Sequence, residues 1–226
     1  MINQYVIVID FDETIGYFSD LYKFWYYLKI YLNNELSYLY LYNLLNDYTL
    51  FFRPGIFDIF KYIKNKKKKN ICNKVIIYTN NKGSQEWLNT IVNYINIKIN
   101  YNLFDYIIQN IENDKSYDVL NKLFINNRNL YICFIDNNLH NKMFHKNVLY
   151  INTKSYVYNP NYIEICKYFY TNNINLFNNI IQTSSHFTNN ILSNMNNMNN
   201  MNNMNNMNNM NNQTMNGLNN QTMNNQ

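Results

Sequence analysis

An α/β fold built on a doubly wound, Rossmann-like parallel sheet is what this sequence predicts, on three observations. Short apolar runs rich in Val and Ile recur along the chain and alternate with segments of helical periodicity. The runs are continuously apolar, the pattern of strands buried on both faces. Three of them stop abruptly at polar residues: at Asp10 and Asp12, at Thr79, and at Asp136 with Asn137. In open parallel sheets the carboxyl ends of the strands are where ligands bind.

The first strand, Val6 to Ile9, is closed by two carboxylates at i, i+2 spacing, Asp10 and Asp12. Extended chain turns both to one side and sends Phe11 back toward the core. Burying a carboxylate costs folding energy unless something pairs with it. Two acids facing one spot suit a hard divalent cation, and two acids of different pKa suit nucleophile and general acid roles. Standing alone, the pair would read equally well as an acidic turn.

Next, a Ser19-Asp20 capping signal precedes Leu21, Phe24, Trp25, Leu28 and Leu32 at helical spacing. Asn33-Asn34 breaks that helix, and Leu36 to Leu45 reads as a second one. A helical hairpin, residues 17–50 in round terms, is thus inserted after the acidic strand end; its aromatic stripe suits packing and its position would permit a lid. Pro54 stands where it can open a helix at its first position, with Ile56, Ile59, Phe60 and Ile63 on one face. Lys66 to Lys69 trail off its end, where cations suit the negative pole of the helix.

The second strand is Lys74 to Thr79, followed by a turn at Asn80, Asn81 and Gly83. Ser84 can cap a helix whose inner face is Trp87, Leu88, Ile91, Val92 and Ile95. Tyr106 to Ile108 is a short strand, and Lys115 sits before a helix carrying Leu120, Leu123 and Phe124. The strand Leu130 to Ile135 ends at Asp136-Asn137-Asn138; Val148 to Ile151 is the last, before a helix near Tyr162 to Tyr170. The polar strand ends converge if their strands are neighbours.

Composition bounds the rest. The 226 residues suffice for one folded domain over 1–187, with a tail over 188–226. The formal charge of +5 is dispersed apart from the run near Lys66, which predicts weak attraction to anions and no dedicated nucleic-acid surface. Cys72, Cys133 and Cys166 lack metal-ligand spacing and read as free thiols of a reducing compartment. No leader pattern opens the chain, and no stretch reaches the roughly 18 apolar residues of a membrane span. An intracellular protein, cytoplasmic or nuclear, is expected. His140 and His145 have no zinc-like spacing and read as surface residues. From Met195 the chain runs as uncharged Met-Asn-Asn repeats, whose period of three gives a helix no apolar stripe, and the tail is expected to be disordered.

Asp10-Phe11-Asp12-Glu13-Thr14, Arg53-Pro54-Gly55, Thr79, Lys115 and Asp136-Asn137, in that order, resemble the motifs of the haloacid dehalogenase superfamily. Within it the chain is most similar to the phosphatases acting on the C-terminal domain of RNA polymerase II and their small relatives. The resemblance covers Tyr5 to Ile151. It implies a phosphomonoester hydrolase in which Asp10 attacks phosphorus to form an aspartyl-phosphate and Asp12 serves as acid and then base. It implies Mg2+ held by Asp10, the Asp12 carbonyl and the Asp136-Asn137 pair, with Thr79 and Lys115 on the phosphoryl oxygens and Thr14 supporting the first loop. The implied substrate is phosphoserine or phosphothreonine in a protein. A small phosphorylated metabolite or a nucleic-acid end is the alternative, and a non-catalytic binding module on the same fold a second. The chain departs from the group in two places. Its insert reads as helical where the group reads as strand, and Asn138-Leu139 stands where the group commonly has Ser-Pro.

Overall fold

The computed structural model describes residues 4–32, 36–109, 114–124, 130–177 and 186–197. Strands β1 Gln4–Ile9, β2 Lys74–Thr79, β3 Tyr106–Gln109, β4 Leu130–Asp136 and β5 Val148–Asn152 form one sheet. Its order is β3-β2-β1-β4-β5 and every neighbouring pair is parallel. The helices are α1 Ser19–Tyr31, α2 Tyr38–Asp47, α3 Ile56–Lys68, α4 Gln85–Ile99, α5 Tyr117–Leu123, α6 Tyr162–Asn172 and α7 over 186–197. Contacts divide the chain into two compact units, Met1–Tyr22 with Ser37–Asn159, and Lys23–Leu36 with Pro160–Gln226.

The first unit holds the sheet. From central β1 the chain runs outward through β2 and β3, then returns to the other side for β4 and β5. The order therefore reverses between β1 and β4, the place where open parallel sheets form a crevice. Register sets Ile9 level with Ile77 of β2 and Ile135 of β4, so three strands end side by side. One face of the sheet buries Val6, Val8, Tyr78, Ile132 and Phe134 together with Leu120, Phe124 and Met143. Full burial of β1 holds only toward its carboxyl end: Val8 and Ile9 are buried, whereas Tyr5 is 48% exposed. A run of apolar letters does not say how far along a strand its covering helices reach.

Two helices do follow β1; the expected break at Asn33-Asn34 lies outside the described residues. Ser37 caps α2, its Oγ accepting from the Leu39 amide at 3.3 Å, and Tyr94 of α4 donates to the Leu45 carbonyl at 3.1 Å. Gly55, left-handed at φ +79°, is the N-cap of α3, so Pro54 stands ahead of that helix instead of opening it. Ile56, Phe60 and Ile63 are buried, while Ile59 falls at the margin of their stripe and is exposed. The lysines of α3 are engaged: Lys64 Nζ donates to the Ile99 carbonyl at 2.7 Å, and Lys67 pairs with Asp105 at 2.6 Å.

In the second unit, Phe24 and Trp25 meet Phe169 of α6 edge-on, at centroid distances of 6.4 and 6.5 Å. Asn161 caps α6, its Oδ1 accepting from the Ile163 and Glu164 amides. Helix α7 crosses residue 187, where the sequence set the edge of the domain. Phe187, Ile191 and Met195 are buried at four-residue spacing, a helical stripe that the three-residue repeats beginning in the same stretch conceal. The repeats from 198 onward, and their expected disorder, lie outside the described residues. Among the described residues no helix is long and apolar enough to cross a membrane, and the three cysteines are free.

The turn after β1 is tightly packed. Glu13 N–H donates to the Gly16 carbonyl at 2.7 Å and Tyr17 N–H to the Phe51 carbonyl at 2.8 Å. A Cβ on Gly16 would collide with the Phe51 carbonyl oxygen and the Phe18 ring. The backbone oxygen cannot yield without breaking the second of those bonds. Gly16→Ala is therefore expected to lower the unfolding free energy by about 1–3 kcal/mol, the usual cost of overpacking. Urea unfolding reads it directly, and an unshifted midpoint would mean that the turn can open.

Candidate active site

The topology delivers what the strand ends require. Asp10 follows β1, its amide donating to the Ile135 carbonyl at 2.9 Å, and Asp136 closes β4 next to it. Between the two lies Lys115, brought in by the segment ahead of α5, where Ser116 caps the helix and its amide bonds Tyr78 Oη at 3.2 Å. Lys115 is only 2% exposed. Its Nζ donates to Asp10 Oδ1 and, at 2.6 Å, to Asp136 Oδ2. Burying a cation is tolerable only with such partners, and two carboxylates around one ammonium leave a net negative charge. Burial pushes the Asp10 carboxyl above its ordinary value, with Asp136 adding to the rise and the Lys115 ammonium opposing it.

Asp12 occupies a different environment. Its Oδ2 accepts from Asn81 Nδ2 at 2.5 Å, while its Oδ1 is buried without a hydrogen-bond partner among the described residues. Burial raises its pKa to about 7; the Asn81 hydrogen bond lowers it, and the charges of Asp10 and Glu13 add to the rise. A carboxyl half-protonated near neutrality can give or take a proton there. Asn81, read from the sequence as a turn residue, is held from three sides. Its amide donates to Thr79 Oγ1 at 3.0 Å, its Oδ1 accepts from the Gly83 amide at 2.6 Å, and Gln109 Nε2 bonds its carbonyl at 2.7 Å. Its position two residues beyond a polar strand end, like Asp12 after Asp10, was the available signal.

Thr14 and Asn137 complete the first loop. Thr14 Oγ1 donates to Asp10 Oδ2 at 2.9 Å and accepts from the Asn137 amide at 3.2 Å. One terminal atom of the Asn137 carboxamide lies 3.1 Å from Asp10 Oδ2 and 3.2 Å from the Asp12 carbonyl oxygen. With nitrogen there, it donates to both. With oxygen there, three oxygens meet beside the Thr14 hydroxyl, which lies 2.9 Å from the carboxamide, an oxygen cluster of the kind a hard cation takes. The residues therefore fit a divalent cation, although among the described residues no three His, Cys, Asp or Glu side chains group to hold one. Asp136, expected among the ligands, has both oxygens engaged: Oδ2 with Lys115, and Oδ1 accepting the Asn138 amide at 2.7 Å.

His140 is not the surface residue the sequence suggested. It is 8% exposed, with Nδ1 3.2 Å from Asp114 Oδ1 and Nε2 3.4 Å from Asp136 Oδ2. Leu139 beside it points to solvent, so no periodic cue marks the burial; the neighbouring carboxylates supply the reason. His145 is exposed, stacked on Tyr117 at 3.9 Å.

These groups line a hollow of about 310 Å³ that includes Asp10, Asp12, Thr79, Asn81, Lys115 and Asn137. All its lining residues belong to the first unit, α2 contributes none, and Ser19 is the one wall residue between Thr14 and Arg53. A larger hollow of about 720 Å³, over Tyr5, Tyr131 and Leu149, is apolar and has no acid in its walls. Comparison with protein-family models, with curated proteins and with solved structures finds no match to the chain.

A carboxyl whose folded pKa exceeds its unfolded value costs stability once it ionises. For Asp12 that cost is absent below 3.8 and fully present above about 7. Asp12→Asn removes it while keeping an acceptor for Asn81. In EDTA, the melting temperature of Asp12→Asn relative to wild type should therefore climb between pH 4 and pH 8, in round figures. A difference that stays flat over this range would mean that Asp12 ionises at its ordinary value.

Proposed function

We propose that the protein is a Mg2+-dependent phosphomonoester hydrolase working through an aspartyl-phosphate, with phosphoserine or phosphothreonine in a protein as substrate. The observation that carries the reading is the contrast between Asp10 and Asp12. One is paired with a buried ammonium, and the other, two residues on, has one buried oxygen lacking a hydrogen-bond partner among the described residues, its pKa raised by burial to about 7.

An Asp10 carboxylate oxygen attacks phosphorus, the bond to the ester oxygen breaks, and Asp12 gives that oxygen its proton. Asp12, now ionised, takes a proton from water as the water attacks phosphorus. The bond to Asp10 breaks and phosphate leaves. Lys115, between Asp10 and Asp136, is placed to balance charge on the phosphoryl oxygens, and Thr79 lends its hydroxyl. Bound at Asp10, the Asp12 carbonyl and the Asp136-Asn137 pair, Mg2+ would neutralise phosphoryl charge so that a carboxylate can approach it. The absence of α2, which belongs to the same unit, from the walls of the hollow supports a side chain presented by a protein over a metabolite enclosed by that helix. The chain order of Asp10-x-Asp12-Glu13-Thr14, Arg53-Pro54-Gly55, Thr79, Lys115 and Asp136-Asn137 supports the same choice through its resemblance to the C-terminal-domain phosphatases of the haloacid dehalogenase superfamily.

The full chain should hydrolyse p-nitrophenyl phosphate with Mg2+ and lose that activity in EDTA. Asp10→Asn should abolish turnover, since an amide is a poor nucleophile, and Lys115→Ala should cut kcat by about two orders of magnitude or more. Undiminished activity in Asp10→Asn would remove the mechanism. Activity on sugar phosphates but not on phosphoserine peptides would replace the substrate.

A further inference from the structure

Arg53 lies outside the hollow yet is bonded to the loop that carries the acids. It is absent from the walls around Asp10, although Glu13, to which it bonds, is one of them. Its Nε donates to the Thr14 carbonyl at 2.7 Å, and its Nη2 donates to the Glu13 carbonyl at 2.5 Å and to the Lys154 carbonyl at 2.7 Å. Its own backbone amide donates to the Ile15 carbonyl at 2.9 Å. The guanidinium stands 5.5 Å from the centroid of the Tyr156 ring, and the Tyr156 amide donates to the Glu13 carbonyl at 2.8 Å. The Tyr156 hydroxyl returns to the Leu50 carbonyl at 2.8 Å. One planar fork thus joins three chain segments through carbonyls alone, a use of its donors that a point ammonium cannot reproduce.

The residue it holds is under backbone strain. Glu13 has φ +59°, the left-handed region that residues bearing a Cβ avoid. With Glu13 turned this way, the carbonyls of residues 13 and 14 both reach Arg53. At the same time the side chains flanking that turn reach inward, Asp12 to Asn81 and Thr14 to Asp10. The turn's own bond from Glu13 N–H to the Gly16 carbonyl is reinforced from outside by the Tyr156 amide and by Arg53, whose side chain bonds both the Glu13 and the Thr14 carbonyls.

We infer that Arg53 is a positioning residue, whose guanidinium holds the left-handed turn at Glu13 and so fixes Asp12 relative to Asp10 for proton transfer. The catalytic part of this inference rests on the hydrolase reading above; the tie itself does not. A residue that places the general acid should matter most where the leaving group needs that acid. On the full chain, Arg53→Ala should lower kcat about 100-fold on phenyl phosphate and about tenfold on p-nitrophenyl phosphate, with KM changed less than about twofold. Arg53→Lys should fall between, and added ethylguanidinium should restore part of the Arg53→Ala rate on phenyl phosphate. Hydrogen exchange followed by mass spectrometry should show faster uptake in peptides over 11–17 in Arg53→Ala. Equal losses on both esters, or uptake like that of wild type, would overturn the inference. Should wild type hydrolyse neither ester, the hydrolase reading falls, and exchange alone decides the tie: faster uptake supports it and unchanged uptake overturns it. If Arg53→Ala does not fold, Arg53→Lys carries both measurements with the same outcomes.

Discussion

One buried ammonium sets the terms for the rest of this structure. Lys115 is enclosed by Asp10 on β1 and Asp136 on β4, with the Tyr78 and Phe134 rings 5.8 and 5.9 Å from its nitrogen. Desolvating three charged groups is costly, and ion pairing recovers only part of it. The balance must come from elsewhere, and the apolar face formed by Val8, Tyr78, Ile132 and Phe134 lies directly behind the charges. The strand order is what makes the arrangement reachable. At the reversal between β1 and β4, two strand ends from distant parts of the chain stand next to each other, where open parallel sheets form a crevice.

The two aspartates of the first loop show how environment divides like groups. Asp10 has a cation on one oxygen and a hydroxyl donor on the other. Asp12 has one amide donor and, among the described residues, no partner on its other oxygen, and burial carries its pKa to about 7. The difference is built by neighbours and not by the Asp-x-Asp spacing. Asn81 is fastened by Thr79, Gly83 and Gln109, so a residue at the end of β3 indirectly orients the acid after β1.

The parallel α/β architecture was legible because buried parallel strands write themselves as uninterrupted apolar runs, and helices with one inner face, such as α4, as periodic ones. The polar strand ends Asp10, Asp12, Thr79 and Asp136-Asn137 were legible for the complementary reason: charge next to such a run is anomalous. Lys115 could be found only through motif order, because its role depends on a fold-back that no local pattern encodes. His140, Asn81 and the loop contacts of Arg53 escaped for the same reason. Each is defined by a partner far along the chain, as the bonds of Arg53 to Lys154, 101 positions away, and of Asn81 to Asp12, 69 positions away, illustrate. Helix α7 escaped differently, its four-residue stripe hidden where it runs into a three-residue repeat.

Charge accounting explains why the hydrolase reading needs a metal at all. Asp10, Asp136 and Lys115 sum to minus one, and Asp12 adds between zero and minus one near neutrality. A phosphate monoester entering this hollow brings further negative charge into a place where screening by water is poor. Lys115 answers for only part of it, since its charge is already shared by two carboxylates. On the hydrolase reading a divalent cation would supply the missing balance, and the carboxamide of Asn137 is placed to help receive it. Turned one way it donates protons to Asp10 and the Asp12 carbonyl; turned the other it presents an oxygen beside theirs. An aspartate at position 137 would add another negative charge and could donate nothing to Asp10, so without a cation three bare oxygens would face one another. On this reading the amide allows the loop to fold before the metal arrives.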